Sequence, residues 1–334
     1  MKISASIYSS KNQALPDLIR DLDDHSVDLL HVDCNDDPGV FDDIKKIREL
    51  TNLPIDLHII TPNPEKYYPL LEECPVEYVT FQYEPLSEPI EVPKSISAKL
   101  GLAITSDTDI EVFDAYADRF SFILFMATVP GQSGGKFNKE NFRKIRRFRN
   151  QHPSIHIHVD GGVNAEVSFI LRNMAVYSAV VGSYLFSEPL GAALLKLKTH
   201  ETDSHFLVKD FMREPDELPI LQPHQHTLKE VLETIERFKM AFTLLVDEAG
   251  KLKGLISNAD VRRGMLSHIE DLNKIEVSEL INTTPIVIDE DKTVMELLRF
   301  VKAQNVPINY LPVVNADKQL TGAISFTNLI KGEL

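Results

Sequence analysis

Three short stretches of the sequence set histidine and aspartate two residues apart. Residues 31–33 read His-Val-Asp, residues 56–58 read Asp-Leu-His, and residues 158–160 read His-Val-Asp with Gly161-Gly162 behind them. In an extended strand, positions i and i+2 share a face. Each stretch therefore projects an imidazole and a carboxylate to the same side. Strands that converge could bring two imidazoles and two carboxylates around a divalent cation, with room left for substrate oxygens. An ionised carboxylate on a buried strand is costly unless it is paired or metal-bound, so Asp33 and Asp160 weigh more than any single histidine. His156 and His158 lie lower on their strand and read as core residues. Two glycine-bearing stretches, residues 129–136 (Val-Pro-Gly-Gln-Ser-Gly-Gly-Lys) and Gly182-Ser183, follow apolar runs. Backbone N–H groups in such loops can hold phosphate, although a tight turn explains the glycines equally well.

The elements that must position these residues are visible as apolar runs at 3–7, 27–33, 54–60, 77–83, 99–104, 120–127, 154–160 and 178–182. Their Ile, Val, Leu and Phe content suits strands buried on both faces. Helix-like segments lie between them. Residues 42–50 place acids first and bases later, as a helix dipole prefers. Residues 138–150 also read as a helix, and Asn164 is a plausible cap for 164–173. Residues 84–98, rich in Pro and Glu, suggest no helix. Eight strand–helix units in roughly 200 residues fit a (β/α)8 barrel, with active-site residues at the C-terminal ends of the strands. A doubly wound open sheet is the structural alternative.

Residues 197–206 are polar and read as a linker. A twofold repeat follows. Its first copy runs through 208–212, a helix at 226–239, strands at 242–247 and 255–257 around a turn at 248–254, and a helix at 258–266. The second runs through 277–281, a helix at 292–304, strands at 311–315 and 323–325 around a turn at 316–322, and a helix at 326–334. Both copies carry Gly-x-x-Ser, at Gly254/Ser257 and Gly322/Ser325.

Composition narrows the function classes. The 334 residues are 43% hydrophobic and 25% charged, as expected of a folded chain. The net charge of −15 argues against a nucleic-acid partner and against an anionic membrane surface, while a local site for a small anion remains compatible with it. Two cysteines cannot form a disulfide framework and suit a cytoplasmic setting. No apolar run approaches the ~18–20 residues that span a bilayer, and the opening residues read as a first strand.

With these residues in place, residues 1–196 resemble the ribulose-phosphate 3-epimerase family. The matching pieces are SASIYS, LLHVDCND, IDLHI, YVTFQYE, KLGLAIT, FMATVPGQSGGKF, HVDGGVN and VVGSYLF, in family order. The resemblance implies a TIM barrel and an isomerase acting on a phosphorylated ketose. It implies one divalent metal ion (Zn, Fe, Mn or Co) held by His31, Asp33, His58 and Asp160. Asp33 and Asp160 are the implied acid/base pair that inverts C3 through an enediolate, one removing the proton and the other returning it. Implied substrate and phosphate contacts are Ser6, His58, Gly131, Gln132, Ser133, Gly134, Gly161, Gly162, Gly182 and Ser183. The sequence departs from the family pattern where Asn35 replaces a methionine, where Gln82 replaces a histidine, and in the glycine-rich loop 131–135. These changes leave the acid/base set intact but put ribulose 5-phosphate itself in question.

The repeat resembles a pair of cystathionine-β-synthase (CBS) domains, a Bateman module, similar to those on arabinose-5-phosphate isomerases. Ser257-x-x-Asp260 matches the motif that holds a nucleotide ribose, implying an adenine or cytidine nucleotide; the second copy has Asn328 in place of the aspartate. A ligand-free dimerisation unit is the alternative. The expected organisation is a barrel over 1–196, a linker over 197–206 and a CBS pair over 207–334 (207–270 and 271–334), in a homo-oligomer. Competing readings of the whole are a non-catalytic sugar-phosphate or nucleotide sensor or scaffold, and a related sugar-phosphate lyase or decarboxylase.

Overall fold

The alternating apolar runs form a closed barrel of eight parallel strands, and the repeat forms a second unit. The computed structural model describes residues 1–130, 134–198, 205–221, 226–306 and 308–326. In chain order the barrel comprises β1 (Lys2–Ser6), α1 (Leu15–Asp24), β2 (Leu29–Cys34), α2 (Val40–Leu50), β3 (Ile55–Ile59), α3 (Tyr68–Glu73), β4 (Tyr78–Gln82), β5 (Lys99–Thr105), β6 (Phe122–Met126), α4 (Glu140–Gln151), β7 (His156–Asp160), α5 (Ala165–Asn173), β8 (Ser178–Val181) and α6 (Leu190–Lys198). Each strand pairs with the next, and β8 closes onto β1 with Ser178 opposite Lys2. Closure removes the open-sheet alternative. All eight apolar runs become strands, and residues 84–98 form no helix.

Local sequence explains the helices. α2 carries Asp42 and Asp43 in its first turn and Arg48 in its last, each placed favourably for the dipole. Its Ile44 and Ile47 are fully buried, a face that contributes about 1.5–3 kcal/mol per side chain. The Asn164 Oδ1 accepts the Val167 N–H at 2.9 Å and caps α5. Along β7 the two candidate core histidines part company. His158 is buried and stacks on Phe122 at 4.2 Å. His156, the first residue of the strand, is exposed at the foot of the barrel, where it stacks on Tyr177 at 4.1 Å. The core reading of His156 is therefore wrong: it starts the strand, before the barrel wall encloses it.

The second unit contains α7 (Val208–Phe211), β9 (Ile220–Leu221), α8 (Leu228–Phe238), β10 (Phe242–Val246), β11 (Leu252–Ser257), α9 (Asn258–Ser267), α10 (Val277–Leu280), β12 (Ile288–Asp289), α11 (Val294–Lys302), β13 (Tyr310–Val314) and β14 (Leu320–Ser325). Two matching sheets result, β11-β10-β9 and β12-β13-β14. β9 and β12 were not expected, because two residues are too short to show a period. β11 and β14 begin inside the segments read as turns. The final helix expected at 326–334 falls, beyond Phe326, outside the described residues, as does most of the expected linker.

The segments that open the two copies exchange places. Asn282, just after α10, exchanges backbone hydrogen bonds with Leu255 of β11, while Arg213, just after α7, exchanges them with Ala323 of β14. Each opening segment thus pairs with the sheet of the other copy. The shared glycines mark these crossings. A Cβ on Gly254 would sit 2.9 Å from the Asn282 carbonyl oxygen, and one on Gly322 would sit 2.5 Å from that of Arg213. The two helices that follow β9 and β12 also start alike. Thr227 with Glu230, and Thr293 with Glu296, form reciprocal capping boxes.

Candidate active site

Strand register gathers the His/Asp pairs. On β2 and β3, His31 lies opposite Asp56 and Asp33 opposite His58. Asp160 ends β7. The result is a cluster in which one ligand atom each from His31, Asp33, His58 and Asp160 lies within 4.8 Å of the others. Asp33 Oδ1 is 3.2 Å from His31 Nε2 and 3.3 Å from His58 Nδ1. Asp160 Oδ2 is 3.9 Å from His31 Nε2. Both imidazoles are fully buried, and both carboxylates keep 17% of their side-chain surface exposed. The cluster therefore opens toward solvent through its acids.

The outer nitrogen of each ring is already taken. His31 Nδ1 lies 3.0 Å from Asp56 Oδ2, which also accepts from Ser4 Oγ at 3.0 Å. His58 Nε2 lies 2.8 Å from Gln82 Oε1. An oxygen acceptor on the outer nitrogen keeps a ring proton there, so that a cation in the cluster would displace only the inner hydrogen bond to Asp33 and meet the inner lone pair. Two lone pairs and two carboxylates then converge, which is the donor set of a divalent cation site. The same demand for positive charge is visible in the titrating groups. Burial alone would lower His31, but the carboxylates of Asp33 and Asp56 raise it well above the ordinary histidine range. Burial would raise Asp33, but His31 and His58 hold it far below the usual carboxylate range. Asp160 is pushed up to about 6, first by burial and then by Asp33, against the pull of His31. Two neighbouring carboxylates are thereby driven in opposite directions, the pattern of an acid and a base.

Asp56 and Gln82 back the two imidazoles, a placement the sequence reading did not assign. Asp56 had a signal, since it stands two residues before His58 on the same face. Gln82 stands in place of the family's histidine, but no role followed from that.

The proposed phosphate contacts are brought partly together. Gly134 and Ser183 line one cleft of about 490 Å3, together with Ser9, Lys11 and Leu190. Lys11, missed in the sequence reading, is the one cation among the described lining residues. The acids on the same wall are engaged elsewhere: Glu188 by Lys196 at 2.7 Å and Asp21 by His25 at 3.2 Å. None of the four cluster residues lines this cleft. Ser6 ends β1 with its Oγ 3.0 Å from Ser9 Oγ, and the Gly182 carbonyl accepts from the Leu185 N–H at 2.9 Å. Gly131, Gln132 and Ser133 lie outside the described residues.

Gly161 and Gly162 are required by the backbone. Both have positive φ, +106° and +65°. A Cβ on Gly162 would stand 2.2 Å from the Phe137 nitrogen, so the turn after β7 is pressed onto the loop after β6. Gly162→Ala should cost about 2–4 kcal/mol, from left-handed strain plus a clash with main chain that cannot rotate away. Urea unfolding tests this; a loss under 0.5 kcal/mol would show that the turn has room to relax.

A closed parallel barrel with these side chains at the C-terminal ends of its strands defines an enzyme of the (β/α)8 class. The family model described as ribulose-phosphate 3 epimerase matches residues 2–186. The chain belongs to that family and is an isomerase-class enzyme. It is similar to the ribulose-phosphate 3-epimerases of Methanocaldococcus jannaschii (29% identical over 226 residues, 64% of this chain and 95% of the relative) and Bacillus subtilis (25% over 202 residues, 56% and 93%). The CBS domain model matches residues 208–267 and 277–333, so the barrel is followed by a CBS pair. Among solved structures, the chain is similar to the CBS-pair protein CBSX2 of Arabidopsis thaliana (21% identity, 38% of this chain and 94% of that one, TM-score 0.32). It is also similar to the CBS domain pair of protein MJ0100 in complex with 5-methylthioadenosine and S-adenosyl-L-methionine (24%, 38% and 98%, TM-score 0.32).

Proposed function

We propose that the barrel is a metal-dependent epimerase that inverts C3 of a ketose phosphate, ribulose 5-phosphate or a related sugar phosphate. The observation that carries this reading is the convergence of His31, Asp33, His58 and Asp160 within 4.8 Å. His31, Asp33, His58 and Asp160 would hold a divalent cation (Zn, Fe, Mn or Co), which would supply polarisation of a ketone and stabilisation of the charge on its oxygen. The chain supplies everything else. His31 and His58 present their inner nitrogens while Asp56 and Gln82 hold the outer ones. The carboxylate oxygens of Asp33 and Asp160 take the C3 proton on one face and return one on the other, and the exchange of roles makes the reaction reversible. Ser183, Gly134 and Lys11 offer a phosphate group hydroxyl and ammonium donors and close backbone approach.

The CBS pair is assigned a regulatory role, with Ser257 and Asp260 toward a nucleotide ribose, adenine or cytidine. Asp260 Oδ2 accepts the Ser257 N–H at 2.8 Å, forming the cap of α9, and its Oδ1 meets Arg263. Arg263 is 68% exposed, so a ribose hydroxyl can replace it at modest cost. Cys34 and Cys74 are both unpaired, which supports a reducing, cytoplasmic setting within this reading. No helix among the described residues is long and apolar enough to cross a membrane.

The test is turnover of a panel of ketose phosphates in D2O, followed by NMR. Deuterium at C3 together with the C3 epimer is the expected result. Bound metal without exchange on any substrate would replace the enzyme with a sensor or scaffold, and release of a carbon fragment would make it a lyase.

A further inference from the structure

Gln82 turns its oxygen, and not its nitrogen, toward His58. A glutamine amide can present either end, and the two ends demand opposite tautomers of the imidazole. If the nitrogen faced His58, it would donate to Nε2. The ring proton would then sit on Nδ1, aimed into the cluster, where it would block a cation.

The surroundings of Gln82 settle the choice. Its side chain is buried, 2% exposed. The Nε2 end faces the Glu84 carboxylate and, at 3.5 Å, the Ala103 carbonyl oxygen. Both partners accept, so a flipped amide would set oxygen against oxygen on that side. Glu84 is itself pinned as an acceptor. Its Oε1 receives the Thr105 backbone N–H at 2.7 Å and the Thr108 hydroxyl. That loop is gripped in turn by Lys144 of α4, whose ammonium donates to the Thr105 carbonyl at 2.6 Å, the Ser106 carbonyl at 3.2 Å and the Thr108 carbonyl. The three protons of the ammonium meet three main-chain oxygens, so the grip has a fixed geometry.

We infer that Glu84 is a positioning residue for the metal site: acting through the amide of Gln82, 2.8 Å from His58 Nε2, it favours the Nε2–H tautomer over the Nδ1–H form that the Asp33 carboxylate at 3.3 Å would draw, so that a lone pair on Nδ1 is available to a cation. Glu84 touches neither the cluster nor its ligands. It acts two hydrogen bonds away, and Lys144 holds the loop that aims it.

This inference rests on the proposed metal site, yet it can be read without metal. The experiment uses the full chain, stripped with chelator, at a pH where the imidazole is neutral. The 15N shifts of His58 report which nitrogen carries the proton. The wild type should show Nε2–H. Glu84→Gln, equal in size but able to donate, should release the amide and mix in the Nδ1–H form, and Gln82→Leu should do the same by removing the acceptor. Titration with Co(II) alone should then show affinity weakened about 10-fold for Glu84→Gln and about 10–100-fold for Gln82→Leu, the usual range for partners behind a ligand. Glu84→Asp should partly restore both readouts, which a merely structural role would not predict. Unchanged His58 shifts and Co(II) affinity in both variants would overturn the inference while leaving the metal site standing. A wild type that shows Nε2–H but binds no Co(II) would remove the metal reading and leave the lock intact.

Discussion

Asp160→Asn is expected to lower the rate of C3 proton exchange about 10²–10⁴-fold, the range associated with loss of a positioned acid or base. Asparagine keeps the shape of the side chain but cannot accept or return a proton. The position is specific: Asp160 is the last residue of β7, buried yet open to the mouth on one side, and its carboxyl is pushed up to about 6. Asp33→Asn should cut exchange by a comparable factor and also weaken metal binding. Asp33 Oδ1 is within 3.3 Å of both imidazoles, whereas Asp160 Oδ2 stands 3.9 Å from the nearer one. Deuterium incorporation measured by mass spectrometry reads the loss in both variants, and metal titration separates them. If Asp160→Asn retained a tenth or more of the wild-type conversion to the C3 epimer, the two-carboxylate mechanism would fail.

Dialysis against a strong chelator should reduce turnover to background, and one of Zn, Fe, Mn or Co should restore it. The cluster sets two buried imidazoles against two carboxylates, a donor set that a divalent cation completes. The same argument predicts a stability change. A metal that binds only the folded chain adds about 4 kcal/mol at a concentration 1,000 times its dissociation constant. Thermal unfolding of the stripped and reloaded protein reads this directly. Full turnover after complete stripping, confirmed by elemental analysis, would leave the four residues as a proton-sharing network with no metal role.

The two units were legible in the sequence to different depths. The barrel was visible because its strands are buried on both faces and appear as separate apolar runs, and the His-x-Asp spacing placed each imidazole beside a carboxylate. In the second unit, the repeat order was visible, but the exchange of the opening segments was not. Val208–Phe211 and Val277–Leu280 look alike in sequence, and nothing local says that each serves the other copy's sheet. The glycines at 254 and 322 were noted as shared spacing; only the coordinates show that each is small because a neighbouring backbone crosses it.

The apolar runs in the chain alone determined the strand count, and the i, i+2 spacing put each imidazole beside a carboxylate; which four side chains would hold a cation was implied by the family resemblance. The partners behind those ligands were decided by closure. Asp56 reaches His31, and Gln82 reaches His58, through the lateral register of neighbouring strands, and register is set by how the whole cylinder closes, not by any spacing within one strand. Lys11 joins Ser183 for the same reason: the first and eighth strands become neighbours only when the sheet meets itself.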